Sequence, residues 1–426
     1  MTGQSIKKHR IAHISKNESK STITYIFLAF YGIAIATLLL STTDNVPMQS
    51  LFGSVKWLYL VFSIANVLIH VRRFNKKILV CAGILLSYIL LFGVFFVNDV
   101  VALETRQYLV QMLIYSGLLL LTYLQVRRFN CFIEFIKATY VSLSVSLLFA
   151  YFTHFSETTF NPMYFIKVII FDLRRRSTFG FIQQNFVGAI CFLTFLVSLI
   201  YLYYVFKTRG IKTLNPFIAY MIVADAVIWM MFQSTSSRAS LTSFFLLLIC
   251  FFLFEFVIKK KKLFIVCCII GVIGILTLLI VFGDGIWSAS NRSANITENI
   301  KWVEVIGNKW TGMGFVENSA FQYHWVDGVG SSAFGVRTSS LDMYYVYLYC
   351  TTGIIGCLMI GSILIYMAIL IYKRRKEPFA PMMISIYICM LYYALWESVI
   401  FAFRFWPFFI VFVILWCFID GTAQKA

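Results

Sequence analysis

Arginine stands beside short polar segments at several points between long apolar stretches of the sequence. The run Arg174-Arg175-Arg176 precedes a Ser-Thr-Phe-Gly segment, and Arg238 lies within the hydroxyl-rich segment 234–240. A guanidinium presents a planar fork of N–H donors that matches two phosphate oxygens. The pattern indicates a site for a phosphate-bearing group, with contact to lipid headgroups as the alternative interpretation.

Acidic residues within or beside the apolar stretches are the candidates for acid–base chemistry. Asp342 directly precedes a long apolar stretch, where it is either a general base or the N-cap of a helix. Asp225 lies near the middle of another stretch, and Glu397 lies with Arg404 at the edge of a third. Ionisable groups in such positions are functional candidates, and structural pairing is the alternative.

Histidine and cysteine show no spacing that is typical of a metal site. His324 stands alone in a polar segment, as a surface residue or a substrate contact. The ten cysteines lie in apolar stretches or at their edges, where they act as small hydrophobic residues. We therefore predict no metal, no cofactor and no disulfide framework.

The composition indicates what kind of fold must hold these residues. Of the 426 residues, 60% are hydrophobic and 13% are charged, and the mean hydropathy is +0.83. Soluble domains average about 45–50% apolar and about 25% charged residues. The composition excludes a soluble enzyme, a disordered scaffold and a nucleic-acid-binding domain, because too little polar surface is present to cover the apolar residues. It indicates a polytopic membrane protein.

Apolar runs of about 20 residues predict an all-α membrane fold with about twelve transmembrane helices. The runs lie at 23–41, 52–70, 78–97, 108–125, 132–155, 186–206, 215–233, 241–258, 263–283, 343–372, 378–396 and 399–419. Every second connector is rich in lysine and arginine, so the positive-inside rule places these connectors and both termini in the cytoplasm. Topology therefore accounts for most of the net charge of +18, and no nucleic-acid partner is expected.

Residues 1–22 are predicted to form a cytoplasmic tail and residues 23–426 a single integral membrane domain. Two connectors on the outer side are long, at 156–185 and 284–342. Apolar residues recur at helical spacing in the second connector, at Ile296, Ile300, Val303, Gly307 and Trp310. We therefore expect one large structured outer loop that contains an amphipathic helix, which either lies at the membrane surface or folds over a cavity.

Four segments, taken in order, resemble the superfamily of O-antigen ligases and O-antigen and capsular polysaccharide polymerases. They are residues 176–185, residues 236–240, the long outer connector with Arg292 and Gly312-x-Gly314, and residues 342–356 with their Gly-Ile-Ile-Gly ending. The resemblance covers roughly residues 170–400. Ligases of the superfamily usually carry a His-Asn pair where this chain has Leu341-Asp342, so the chain resembles the polymerase branch more closely.

The resemblance implies a glycosyltransferase C-like membrane fold and a metal-independent glycosyltransferase. Such a polymerase would join oligosaccharide repeat units, carried on undecaprenyl diphosphate, into O-antigen, capsule or exopolysaccharide. The reaction would take place at the outer face of the bacterial cytoplasmic membrane, alongside a flippase and a chain-length regulator of the same pathway. The catalytic candidates are Asp342, Arg238 and Arg292, and the substrate-binding candidates are Arg176, Arg175, Arg337, Asn185 and His324.

Two other functions remain open, namely a ligase-like transferase to another acceptor and a polysaccharide flippase or other transporter. Many transporters contain internal repeats and keep their polar residues near the bilayer midplane. The two halves of this chain show no repeat, and the candidate arginines with Asp342 lie at the predicted outer interface. These features favour the enzyme.

Overall fold

The structure is a computed structural model. It describes residues 21–43, 49, 52–71, 74–98, 102–161, 163–171, 177–181, 183–209, 215–257, 266, 300, 303, 307–315, 343–398 and 406–425. Over these residues the secondary structure is helical, with isolated bridges in place of strands. The chain is therefore an all-α protein, as its sequence predicts.

Most of the predicted spans coincide with helices. The helices are α1 (Thr22–Leu40), α2 (Val55–His70), α3 (Lys76–Leu90), α4 (Ala102–Phe129), α5 (Phe132–Thr153), α6 (Tyr164–Phe171), α7 (Gln184–Arg209), α8 (Pro216–Ser234), α9 (Arg238–Val257), α10 (Tyr344–Lys373), α11 (Ala380–Ala394), α12 (Pro407–Asp420) and α13 (Thr422–Lys425). A π-helical turn, Leu91–Phe95, continues α3. With that turn counted, eight helices within the described ranges are long and apolar enough to cross a membrane, and three more are apolar but shorter. Apart from residue 266, the predicted span at 263–283 lies outside the described residues, so the total of about twelve stays a prediction.

Hydrogen bonds between side chains join the helices of the first half of the bundle. Tyr31 of α1 bonds to Thr139 of α5 at 2.8 Å, and Tyr59 of α2 bonds to Thr122 of α4 at 2.9 Å. Because the hydrophobic effect does not drive helices together within lipid, such bonds contribute to their association beside close packing.

Asp225 of α8 lies inside a span and has a partner for each of its carboxylate oxygens. Tyr140 of α5 donates to Oδ1 at 2.9 Å, and Ser198 of α7 donates to Oδ2 at 2.6 Å. The carboxylate therefore connects three helices, which agrees with the structural interpretation of this residue.

Described residues that flank several of the lysine- and arginine-rich connectors gather at one end of the bundle. The guanidinium of Arg127 lies 2.7 Å from the Asp420 carboxylate, which also accepts from Asn75, so α3, α4 and α12 meet there. Lys207 and Glu255 pair at 2.5 Å and join the ends of α7 and α9. We name this the basic end; residues 177–181 and 307–315, which are described parts of the two long predicted outer connectors, lie toward the opposite end.

This arrangement predicts which connectors an impermeant reagent can reach. With reactive native cysteines replaced, Lys309→Cys is expected to react with a charged maleimide in intact cells. Lys376→Cys at the basic end is expected to react only after permeabilisation, because positive connectors stay in the cytoplasm. Labelling of Lys376→Cys in intact cells, with Lys309→Cys protected, would reverse the predicted orientation.

Candidate functional site

A short segment of the first outer connector, residues 177–181, is bound to its surroundings at the end opposite the basic end. The Glu157 carboxylate accepts hydrogen bonds from the backbone N–H groups of Thr178 and Phe179, both at 2.8 Å. Ser177 donates its hydroxyl to the Glu157 carbonyl at 2.8 Å, and its N–H lies 3.4 Å from the Ser234 carbonyl. The carboxylate thus occupies a concave backbone turn of the kind that binds anions.

The conformation of this turn explains the glycine at its centre. Phe179 and Gly180 both have left-handed backbones, with φ of 49° and 76°. A Cβ atom at Gly180 would lie 2.4 Å from the His154 ring. Arg175 and Arg176, which precede this turn in the sequence, lie outside the described residues.

Arg238 is the first residue of α9, directly after a buried turn of serine and threonine. The turn includes Ser236 with a left-handed φ of 54°. The Arg238 side chain is half-buried, and its Nε donates to the Val168 carbonyl of α6 at 3.1 Å. The guanidinium is thus held at the N-terminus of a 20-residue helix, where the helix dipole adds positive potential.

Asn185 is the second residue of α7 and pairs with a buried carboxylate. Its Nδ2 donates to Oε1 of Glu397 at 2.8 Å, and Glu397 is only 4% exposed. Glu397 follows α11, so this contact joins the start of α7 to the end of α11. Together with Arg238, the pair forms the group of residues that we name the outer polar site.

The first turns of α7 and α9 are in direct contact. A Cβ atom at Gly188 would lie 2.5 Å from the Ser237 Cβ, so only glycine permits this approach. Asn185 is three residues before Gly188 and Arg238 directly follows Ser237. Asn185 and Arg238 therefore belong to neighbouring helix N-termini that pack against each other.

Helix α10 is interrupted at Gly353, where φ is 59° and ψ is −163°. The backbone groups freed by the break bond to residues 309–314. Lys309 and Trp310 carbonyls accept from Ile354 and Ile355 N–H groups, both at 3.0 Å. On the other side of the break, Cys350 and Thr351 carbonyls accept from Met313 at 3.0 Å and Gly314 at 2.9 Å.

The inserted segment, residues 307–315, is a tight turn closed by a bridge between Asn308 and Gly312. The prediction that the helix reaches Gly307 and Trp310 is therefore wrong, although Ile300 and Val303 are helical. Trp310 is 51% exposed at the tip of the turn. The turn bonds to the backbone groups that the break in α10 leaves open, and such groups are costly when they stay unbonded near lipid.

Of the predicted site residues, the structure places Arg238 and Asn185 at the N-termini of two helices that pack against each other. The other six lie outside the described residues, namely Asp342, Arg292, Arg175, Arg176, Arg337 and His324. Sequence reasoning missed the role of Glu157 and the break at Gly353. The glycine inside a long apolar run was a signal for the break, whereas nothing in the sequence indicated that Glu157 binds residues 20 positions away.

No group of three or more His, Cys, Asp or Glu side chains suited to a metal ion occurs among the described residues. No protein-family model matches the chain, and no curated protein matches it. The resemblance stated above therefore rests on its four segments alone.

Proposed function

We propose that this protein is a polysaccharide polymerase of the bacterial cytoplasmic membrane. It joins oligosaccharide repeat units carried on undecaprenyl diphosphate, at the outer face. The observation that supports this proposal is the outer polar site, in which Arg238 and the Asn185–Glu397 pair lie on neighbouring helix N-termini at the end opposite the basic end. A lipid diphosphate lies at that level of the membrane, and a midplane transport site does not.

In the proposed reaction, a hydroxyl of one lipid-linked unit attacks the anomeric carbon of the growing chain on a second lipid. The new C–O glycosidic bond forms as the bond from that carbon to the diphosphate breaks, and undecaprenyl diphosphate leaves. Arg238 neutralises the charge that develops on the diphosphate, a role for which a prepositioned cation is suited. Asp342 is our candidate for the base that takes the hydroxyl proton.

We assign the remaining candidate residues to other contacts with the substrate. Arg292 would assist Arg238 at the diphosphate, and the other polar candidates would hold the substrate, namely Arg175, Arg176, Arg337 and His324. The product would be O-antigen, capsule or exopolysaccharide. A flippase must supply the lipid-linked units to the outer face, and a chain-length regulator is a further partner of the same pathway.

A transporter is the second candidate, because the break in α10 is a feature of many transporters. In those proteins the open helix ends point at substrate or ions near the midplane. Here the backbone groups of Cys350, Thr351, Ile354 and Ile355 are bonded to residues 309–314. Gly353 also lies 20 residues before Lys373, which is about 30 Å along a helix. Because this length equals the full hydrocarbon thickness, the break lies away from the midplane at which such transporters bind their substrates.

An assay with purified protein in vesicles distinguishes these functions. Lipid-linked repeat units on the leaflet that faces the outer polar site should be converted to a ladder of longer products. A ligase would instead transfer one preformed chain to a different acceptor and would leave single units unjoined. Movement of unaltered units between leaflets, with no longer product, would favour the transporter.

Chain extension is expected to continue when divalent cations are removed. The arginine of the outer polar site and the N-terminus of α9 supply the positive charge that the leaving diphosphate needs. The measurement is the rate of ladder formation before and after treatment with a chelator. A complete loss of rate that Mg²⁺ or Mn²⁺ restores would contradict this prediction.

A further inference from the structure

The hydrogen bond between Asn185 and Glu397 determines how the Asn185 amide is oriented. A carboxylate oxygen accepts hydrogen bonds, and an amide offers an NH₂ donor on one side and a carbonyl acceptor on the other. The NH₂ group is engaged with Glu397 Oε1 at 2.8 Å. The carbonyl oxygen, Oδ1, is therefore directed away from the carboxylate.

The position of Asn185 leaves that oxygen available to a ligand. Asn185 is half-buried in the first turn of α7, and none of the described residues donates to its Oδ1. Glu397, in contrast, is almost completely buried. The pair thus consists of a buried anchor and a half-buried amide whose acceptor oxygen has no donor among the described residues.

We propose that Asn185 Oδ1 accepts a hydrogen bond from a sugar hydroxyl of the lipid-linked repeat unit, and that Glu397 is the positioning residue for this amide. That the hydroxyl belongs to a sugar rests on the proposed function. An acceptor repels phosphate oxygens and attracts hydroxyl donors. In this proposal Asn185 on α7 binds the sugar of the substrate, and Arg238 on α9 binds its diphosphate.

Asp225 provides the matched comparison. It is also a carboxylate on the bundle interior, yet both of its oxygens are bonded to hydroxyl groups of other helices. Asp225 thus ties helices together and orients no outward group. Asp225→Asn controls for the removal of a carboxylate from the bundle.

The test measures binding of the lipid-free repeat-unit oligosaccharide, released from the lipid-linked precursor, to purified protein by calorimetry. Asn185→Ala is expected to weaken binding about 2- to 13-fold, the effect of one lost hydrogen bond. Glu397→Gln is expected to weaken it similarly, because a glutamine amide can donate to Oδ1 and turn the Asn185 amide around. The double variant should bind no worse than Asn185→Ala, since both changes remove the same interaction. The control variant Asp225→Asn should bind like the wild type.

Kinetics of chain extension provide the second measurement. Both site variants should raise the KM for the acceptor unit and leave kcat within about twofold, whereas loss of folded protein would lower the apparent kcat without raising KM. Wild-type binding by Asn185→Ala, or additive losses in the double variant, would overturn the inference. Because Asn185 is half-buried at a helix end, Asn185→Ala decides the question alone if Glu397→Gln fails to fold.

Failure of the proposed function gives a different result. If the wild type binds the oligosaccharide through Asn185 but forms no longer product, the polymerase proposal fails and the sugar site stands. If the wild type extends chains and Asn185→Ala keeps the wild-type KM, the polymerase proposal stands and this inference fails.

Discussion

Arg238→Ala is expected to lower the rate of chain extension by about 10²–10³-fold, the usual loss when one prepositioned charge-stabilising donor is removed. Arg238→Lys should also lose most of the activity, at least about tenfold. Lysine keeps the positive charge but cannot form the two parallel hydrogen bonds that a guanidinium forms with phosphate. The measurement is the initial rate of ladder formation at equal amounts of folded protein.

Arg128 is the matched control for this prediction. Its Nε donates to the His70 carbonyl at 2.8 Å, the same kind of bond that Arg238 makes with Val168, but at the basic end. Arg128→Ala should therefore extend chains at the wild-type rate. If Arg238 only contacted lipid headgroups, its loss would cost about 1 kcal/mol, and full activity of Arg238→Lys would contradict the phosphate role.

Gly353→Ala is expected to destabilise the protein by about 2–4 kcal/mol, through backbone strain and overpacking together. An alanine Cβ would lie 2.4 Å from the Trp310 carbonyl carbon and 2.5 Å from its oxygen. Both are backbone atoms of the inserted turn, so the turn must leave the helix or the helix must shift. The measurements are thermal unfolding in detergent and the rate of proteolysis within the outer connector.

Gly361 in the same helix is the control for the alanine change itself. A Cβ atom there meets no atom within 4 Å, and alanine is favoured over glycine inside a helix by about 0.5–1 kcal/mol. Gly361→Ala should therefore unfold at or above the wild-type temperature. Equal stability of the Gly353→Ala and Gly361→Ala variants would show that the turn does not depend on the break.

The helices were predictable because hydrophobic length is a local property. A run of about 20 apolar residues in lipid must satisfy its backbone groups within the segment, and a helix does so. The same reasoning failed at residues 307–310. Helical spacing of side chains does not reveal that the Lys309 and Trp310 carbonyls bond to Ile354 and Ile355, more than 40 residues later.

The candidate site was predictable in its residue types and only partly in its geometry. Arg238 was selected as an arginine within a short hydroxyl-rich segment between two apolar runs, and Asn185 through the resemblance of residues 176–185. Their partners depend on the fold, since Asn185 and Glu397 are 212 residues apart in sequence. Likewise, the close contact of α7 with α9 depends on Gly188, whose importance appears only when Ser237 lies against it.

The central claim is that the protein forms glycosidic bonds between lipid-linked units. The most direct measurement incubates purified wild-type protein with a single species of undecaprenyl-diphosphate-linked repeat unit and follows both products. We expect a ladder whose steps equal the mass of one repeat unit, with one undecaprenyl diphosphate released for each step. Intact single units after prolonged incubation, with folded protein and no released lipid, would contradict the claim.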